Sequence, residues 1–115
     1  MNNNGSGKTK KKYKVLIVDD HPIVRQGLSM MINQENDLHI CGEASDIASA
    51  LESVKACRPD IVVVDISLGQ SSGLTLIEEL TRHYNDISVL ALSMHDETLY
   101  AERCLRAGAK GYIMK

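Results

Sequence analysis

Short apolar runs alternate with longer segments of helical period from Tyr13 to the end of the chain. The runs are rich in Val and Ile and nearly uninterrupted, which is typical of strands buried on both faces of a parallel sheet. They predict five strands, over residues 15–18, 38–43, 61–64, 87–92 and 111–114. Because helical segments separate the strands, the pattern predicts a parallel sheet with helical crossovers.

The segments between the strands carry apolar residues three and four positions apart and predict four helices. The first helix runs from Pro22 to about Gln34. Its apolar residues at helical spacing are Ile23, Val24, Leu28, Met31 and Ile32. Residues that favour the start of the later helices are Asp46, Ser71-Ser72-Gly73 and Asp96. Residues that favour their ends are Arg58-Pro59 and Gly108.

Polar residues follow four of the five predicted strands. Asp19 and Asp20 come after the first strand, Asp65 after the third, Ser93 ends the fourth, and Lys115 follows the last. The carboxyl ends of parallel strands meet at one edge of the sheet, where open α/β folds bind their ligands. We therefore expect these residues to converge on a single site.

The convergence of three carboxylates indicates both a cation and a nucleophile. At about 4 Å and an effective dielectric constant near 20, each pair of carboxylates would repel by about 4 kcal/mol. Oxygen ligands favour a hard divalent ion, and Mg²⁺ bridges carboxylates to phosphate oxygens. Asp65 could then attack phosphorus, with Lys115 and Ser93 stabilising the charge on oxygen. The pattern thus favours phosphoryl chemistry.

Four segments resemble the signature of response regulator receiver domains from bacterial two-component systems. They are residues 15–20, 60–65, 92–93 and 111–115. The resemblance covers residues 14–115. It implies a flavodoxin-like (CheY-like), doubly wound α/β fold with a five-stranded parallel sheet in the order 2-1-3-4-5.

The resemblance also implies a role for each acidic residue. Asp65 would be the phosphoacceptor, and Asp20 and Asp65 would ligate Mg²⁺ directly. Asp19 would act largely through water, and the backbone carbonyl of Ser67 would complete the protein ligands of the metal.

Three further residues receive roles from the same resemblance. Ser93 and Lys115 would hold the phosphoryl oxygens. Ser93 and Tyr112 would form the switch, in which the hydroxyl moves toward the phosphoryl group and the ring turns inward. Judged without the family, Tyr112 would be interpreted as a residue that only fills space in the last strand.

Two segments, residues 19–28 and 93–97, resemble the NarL/LuxR-type branch of this family. That branch implies a sensor histidine kinase as phosphoryl donor and a C-terminal helix-turn-helix domain, absent here, that binds DNA and regulates transcription. We also expect that the protein can form a homodimer. The chain would not be an enzyme with a separate substrate, since phosphotransfer and autodephosphorylation take place on its own Asp65. His21 and His95 are interpreted as residues of the pocket rim.

Two other function classes compete with the phosphorylated switch. A phosphatase of the haloacid-dehalogenase type needs a second Asp two residues after the first, where this chain has Ser67. The alternative is a phosphorylation-independent receiver-like interaction module, against which the intact Asp19, Asp20, Asp65 and Lys115 argue.

The length of the chain and the distribution of its charges predict its domain organisation. The 115 residues fit one domain, which we place at residues 13–115. Residues 1–12 contain four of the 13 Lys and Arg residues and few apolar ones, so they predict a disordered basic tail. No segment resembles a signal peptide or a membrane span, which predicts a cytoplasmic protein. The three cysteines lack metal-site spacing and are expected to be reduced.

One departure from the family concerns the end of the chain. Receiver domains continue into a fifth helix that covers one sheet face, whereas this chain stops at Lys115. We expect a domain truncated after the last strand, with an uncovered face that favours association or lowers stability.

Overall fold

The computed structural model describes residues 12–66, 71–93 and 98–114. Strands and helices alternate in the order β1 (Tyr13–Val18), α1 (Pro22–Asn33), β2 (Leu38–Ala44), α2 (Ile47–Cys57), β3 (Ile61–Asp65), α3 (Ser71–His83), β4 (Ser88–Ser93), α4 (Thr98–Ala107) and β5 (Gly111–Met114). All strand pairs are parallel, and the sheet order is β2-β1-β3-β4-β5. The predicted doubly wound α/β fold and strand order are therefore confirmed.

The element bounds differ from the prediction in small ways. β2 extends one residue further, to Ala44, and α3 already begins at Ser71, so that Gly73 lies inside this helix. The predicted cap at Asp96 and most of the predicted basic tail, residues 1–11, lie outside the described residues. Within the described ranges, no helix is long and apolar enough to cross a membrane.

The core lies on both faces of the sheet. On one face, helices α2, α3 and α4 pack against alternate residues of the central strands, such as Leu16, Val62 and Val89, to form the larger cluster. On the other face, α1 packs against a smaller cluster built on Val15 and Val63. Alternation along each strand explains this division, because successive side chains point to opposite faces.

Helix α1 packs less completely than its sequence pattern suggests, since none of its residues is fully buried. Leu28 and Ile32 pack against the smaller cluster, whereas Ile23 is 82% exposed and Met31 is 65% exposed. At about 100° per residue, Ile23 lies roughly 140° from Leu28 and roughly 180° from Ile32 around the helix. The predicted helix is present, and Ile23 lies on its opposite side from the packed residues.

A close backbone approach fixes the start of α3 against the end of β3. A Cβ atom at Gly73 would lie 2.8 Å from Cα of Ile66 and 3.2 Å from the carbonyl oxygen of Asp65. We expect Gly73→Ala to lower the free energy of unfolding by about 1–3 kcal/mol, because rotation of a side chain cannot relieve a clash with backbone atoms. Urea unfolding measures this change.

Gly27 provides the matched control, since a Cβ added there meets nothing within 4 Å. In the middle of α1, Gly27→Ala should raise the free energy of unfolding by about 0.5–1 kcal/mol through helix propensity alone. Equal effects of the two substitutions would contradict the close packing at Gly73.

Asp46 caps α2, as the sequence predicts. The contribution of this cap to the stability of the folded state depends on pH. The Ser49 backbone N–H donates to its carboxylate over 2.8 Å and the Ser49 hydroxyl over 2.7 Å. These two hydrogen bonds lower the pKa of the Asp46 carboxyl below its ordinary value of 3.8. A carboxyl whose pKa is lower in the folded state stabilises that state fully when the pH is above the pKa of the unfolded chain. This stabilisation is lost as the pH falls through the pKa of the folded state.

Asp46→Asn tests this dependence, because Asn also caps helices but does not titrate. We expect the stability difference between the wild type and Asp46→Asn to shrink on acidification from about pH 6 to about pH 3. Urea unfolding at both pH values measures it, and a difference independent of pH would contradict the role of the carboxylate.

Candidate functional site

The carboxyl ends of β1 and β3 deliver two buried carboxylates to one edge of the sheet. Asp19 directly follows β1 and is 0% exposed, and Asp65 ends β3 and is 1% exposed. Asp20 stands beside them with a side chain that is 46% exposed. Single ligand atoms of Asp19, Asp20, Asp65 and His21 all lie within 4.8 Å of one another. The structure thus brings the three predicted acidic residues together.

His21 lies closer to the carboxylates than its interpretation as a rim residue suggests. Its Nδ1 atom is 3.0 Å from Oδ1 of Asp19, 3.0 Å from Oδ1 of Asp20 and 3.8 Å from Oδ2 of Asp65. Its backbone N–H donates to Oδ1 of Asp19 over 2.8 Å. The ring is 54% exposed, so His21 covers the mouth of the acidic cluster while remaining in contact with solvent.

Arg25 holds the β1–α1 turn in place, a role that the sequence analysis missed. Its Nη1 atom donates to the carbonyl oxygen of Asp19 over 2.6 Å, and its Nε atom lies 3.4 Å from Oε1 of Glu43 in β2. The Ser29 hydroxyl donates to the other oxygen of Glu43 over 2.8 Å. The helical start at Pro22 was a usable signal, because it places Arg25 on the first turn of α1, next to the end of β1.

Ser93 occupies the neighbouring strand end. Asp65 pairs with Leu92 across β3 and β4, so Ser93 lies one residue further toward the carboxyl edge. The Ile66 N–H donates to the Leu92 carbonyl over 2.9 Å and continues this pairing beyond β3. Ser93 is 3% exposed. Its position at the same sheet edge as the carboxylates matches the predicted convergence.

The other predicted site residues are divided between the sheet and the segments that are not described. Tyr112 lies in β5, opposite Ala91 of β4, and its half-buried side chain packs against the larger cluster. The predicted metal ligand Ser67, the predicted phosphoryl-binding Lys115 and the rim residue His95 lie outside the described residues.

The donor set of the acidic cluster fits a hard divalent cation. Two buried carboxylates and one exposed carboxylate supply oxygen ligands, and close carboxylates repel one another in the absence of a counter-charge. Mg²⁺ is held in many proteins by one or two carboxylates and retains several waters. The Asp20 side chain, 46% exposed, connects the cluster with solvent.

Fold and site together define a doubly wound α/β protein with an acidic ligand site at the carboxyl edge of its sheet. Residues 15–115 match the response regulator receiver domain family. The chain belongs to this family. The predicted family and fold are confirmed.

The chain is also similar to curated regulatory proteins. The oxygen regulatory protein NreC of Staphylococcus epidermidis is 37% identical over 103 residues, which make up 89% of this chain and 47% of NreC. The chain therefore spans a little under half the length of this relative.

Solved structures agree with the branch as well as with the fold. A LuxR-family two-component response regulator from Aurantimonas sp. superposes with a TM-score of 0.85 at 30% identity, covering 91% of this chain and 75% of that one. The receiver domain of the putative response regulator NarL from Mycobacterium tuberculosis superposes with a TM-score of 0.83 at 31% identity, covering 90% and 84%. The predicted NarL/LuxR-type branch is thus supported.

Proposed function

We propose that this domain is a signalling switch that accepts a phosphoryl group on Asp65. The observation that carries the proposal is the position of Asp65, which is buried at the end of β3 within 4.8 Å of the carboxylates of Asp19 and Asp20. Burial among other carboxylates is unfavourable for a residue with only a structural role. It is useful for a nucleophile that works beside a cation.

In the proposed reaction, a carboxylate oxygen of Asp65 attacks phosphorus and forms an acyl phosphate. The bond from phosphorus to its former partner breaks, and the electron pair leaves with that partner, such as a histidine ring nitrogen of the kinase. Asp19, Asp20, Asp65 and the carbonyl of Ser67 would hold Mg²⁺, which supplies positive charge to the phosphoryl oxygens when bound. Hydrolysis of the acyl phosphate by water returns Asp65 to its carboxylate.

Ser93 and Lys115 are proposed to bind the phosphoryl oxygens, Ser93 through its hydroxyl and Lys115 through its ammonium group. Ser93 follows Leu92, the residue that pairs with Asp65 across β3 and β4, and this position supports its proposed role. Ser93 and Tyr112 are proposed to form the switch, and the half-buried ring of Tyr112 is compatible with a second, more buried position.

The partners we propose follow from the branch. A sensor histidine kinase donates the phosphoryl group, and a C-terminal helix-turn-helix domain in the complete protein binds DNA and regulates transcription. Half-exposed apolar side chains, Leu105 in α4 and Ile113 in β5, support a homodimer through one of these surfaces. Free cysteines agree with a cytoplasmic location, where thiols are kept reduced.

A phosphorylation-independent interaction module is the second candidate function. It would keep the fold and the exposed apolar residues but would not need three close carboxylates. The two candidates differ in one property, which is the covalent acceptance of phosphorus.

Intact mass spectrometry after incubation with acetyl phosphate distinguishes the two candidates. The proposal predicts a mass increase of one phosphoryl group in the presence of Mg²⁺ and none when the metal is removed by a chelator. A protein that remains folded, as judged by circular dichroism, and gains no mass with Mg²⁺ would support the interaction module instead.

A further inference from the structure

Two thiols contact each other at the side of the domain, away from the acidic cluster. Cys41 lies in β2 and Cys57 ends α2, and their Sγ atoms are 2.6 Å apart. Both cysteines are half-buried and free. The contact between their sulfur atoms places the two thiols within reach of each other for a disulfide bond.

A bulge in β2 aims Cys41 at α2. Val15 of β1 pairs with Ile40 and Leu16 pairs with Gly42, so Cys41 is the extra residue that has no partner on β1. A bulge of this kind bends the strand and re-aims a side chain. Gly42, next to Cys41 in the bulge, also faces the end of α2, since a Cβ atom there would lie in ordinary contact, 3.7 Å, with Sγ of Cys57.

Two hydrogen bonds fix the end of α2, which places Cys57 next to the bulge in β2. Arg58 follows in the left-handed conformation at φ 49°, and its N–H donates to the Val54 carbonyl over 3.0 Å to end the helix. The Lys14 ammonium donates to the Cys57 carbonyl over 2.8 Å, which ties the helix end to β1. Both thiols are therefore positioned by backbone features rather than by flexible loops.

We propose that Cys41 and Cys57 form a reversible intramolecular disulfide when the protein meets a peroxide. The bond would join two residues that are 16 positions apart in sequence and would fix the end of α2 to β2. Transient disulfides are the form that redox sensing takes in reducing compartments. This inference is independent of the proposed phosphorylation.

The reaction balances with hydrogen peroxide as the oxidant. One thiolate attacks a peroxide oxygen, the O–O bond breaks, and protonation releases one water and leaves a sulfenic acid. The second thiol attacks the sulfenic sulfur, the S–S bond forms and the S–O bond breaks, and the departing hydroxide leaves as a second water with the thiol proton. Two thiols are oxidised by two electrons in total, and one peroxide is reduced to two waters.

The environment of the pair sets the pH dependence of this reaction. Burial, together with the hydrogen bond to Cys57, raises the pKa of the Cys41 thiol to about 12, although the nearby Lys14 ammonium acts in the opposite direction. Because the thiolate is the reactive form, Cys41 is a poor nucleophile at neutral pH. Disulfide formation should be faster at about pH 9 than at about pH 7.

Cys104 provides an internal control. It is fully buried in the larger cluster, and burial raises the pKa of its thiol. We expect it to remain a thiol while the pair oxidises, because buried cysteines in apolar surroundings are inert.

The experiment exposes the reduced, folded chain to hydrogen peroxide and counts thiols after denaturation. Of the three cysteines, two thiols should be lost, the mass should fall by two hydrogens, and peptide mapping should identify a Cys41–Cys57 link. Dithiothreitol should restore all thiols. The melting temperature of the oxidised form should exceed that of the reduced form by roughly 5–15 °C.

Matched variants separate the pair from general oxidation. Cys104→Ser should still form the link, whereas Cys41→Ser and Cys57→Ala should not. Mapping of the wild type keeps the proposal testable if either variant fails to fold. Links between chains, sulfonic acids without a Cys41–Cys57 link, or a link that forms only in urea would each overturn the proposal.

Discussion

Replacing Asp65 by Asn is expected to abolish the acceptance of a phosphoryl group from acetyl phosphate. The substitution keeps the size of the side chain but removes the anionic oxygen that attacks phosphorus. Asp65 is one of the two buried carboxylates of the cluster, and it ends β3, the strand that pairs with the strand carrying Ser93. Intact mass spectrometry should show one added phosphoryl group in the wild type and none in Asp65→Asn.

The control for this experiment is Asp86→Asn. Asp86 is an exposed residue in the turn that precedes β4, at the opposite edge of the sheet, and its substitution changes the net charge by the same amount. Asp86→Asn should accept phosphorus like the wild type. Phosphorylation of Asp65→Asn at the wild-type rate would show that another residue is the acceptor.

Replacing Asp20 by Asn should weaken the binding of Mg²⁺. Asp20 is the solvent-facing member of the cluster, with a side chain that is 46% exposed, so the substitution removes a ligand charge without opening the core. Substitution of residues that only orient metal ligands already reduces affinity by about 10- to 100-fold. Loss of the Asp20 charge should have at least this effect. Isothermal titration calorimetry with magnesium chloride measures the dissociation constant directly.

Asp86→Asn again serves as the control, since it alters the net charge far from the cluster. Its affinity for Mg²⁺ should match that of the wild type. If Asp20→Asn also bound Mg²⁺ like the wild type, the acidic cluster would not be the metal site.

The fold and the acidic cluster could be predicted because they depend on local patterns. Runs such as residues 61–64 identify buried strands, and a residue that follows such a strand must lie at the sheet edge. Parallel pairing then brings Asp19 and Asp65 together without any knowledge of loop conformations. For this reason the parallel α/β class and the convergence of the carboxylates agree with the sequence analysis, whereas the strand order 2-1-3-4-5 was implied by the resemblance to receiver domains.

The features that could not be predicted depend on details of packing. The exposure of Ile23 follows from the rotation of α1 about its axis, and apolar spacing alone fixes that rotation only roughly. The contact of Cys41 with Cys57 depends on a bulge that shifts the register of β2 by one residue. A bulge leaves little trace in a single sequence, although Gly42 beside Cys41 is the kind of residue that accompanies one.

Arg25 illustrates a third kind of missed feature. Its side chain links the Asp19 carbonyl to Glu43, two groups that are distant in sequence and adjacent only in the folded sheet. A surface arginine in a helix is ordinarily interpreted as solvated. The structure is needed to recognise that it positions the turn next to the acidic cluster.

The most direct test of the phosphoacceptor is chemical localisation of the acyl phosphate. The wild-type domain is incubated with acetyl phosphate and Mg²⁺, treated with sodium borohydride, which reduces an aspartyl phosphate to homoserine, and digested for tandem mass spectrometry. We expect homoserine at position 65 and aspartate at positions 19 and 20. Homoserine at another position, or a folded protein in which position 65 remains aspartate, would contradict this expectation.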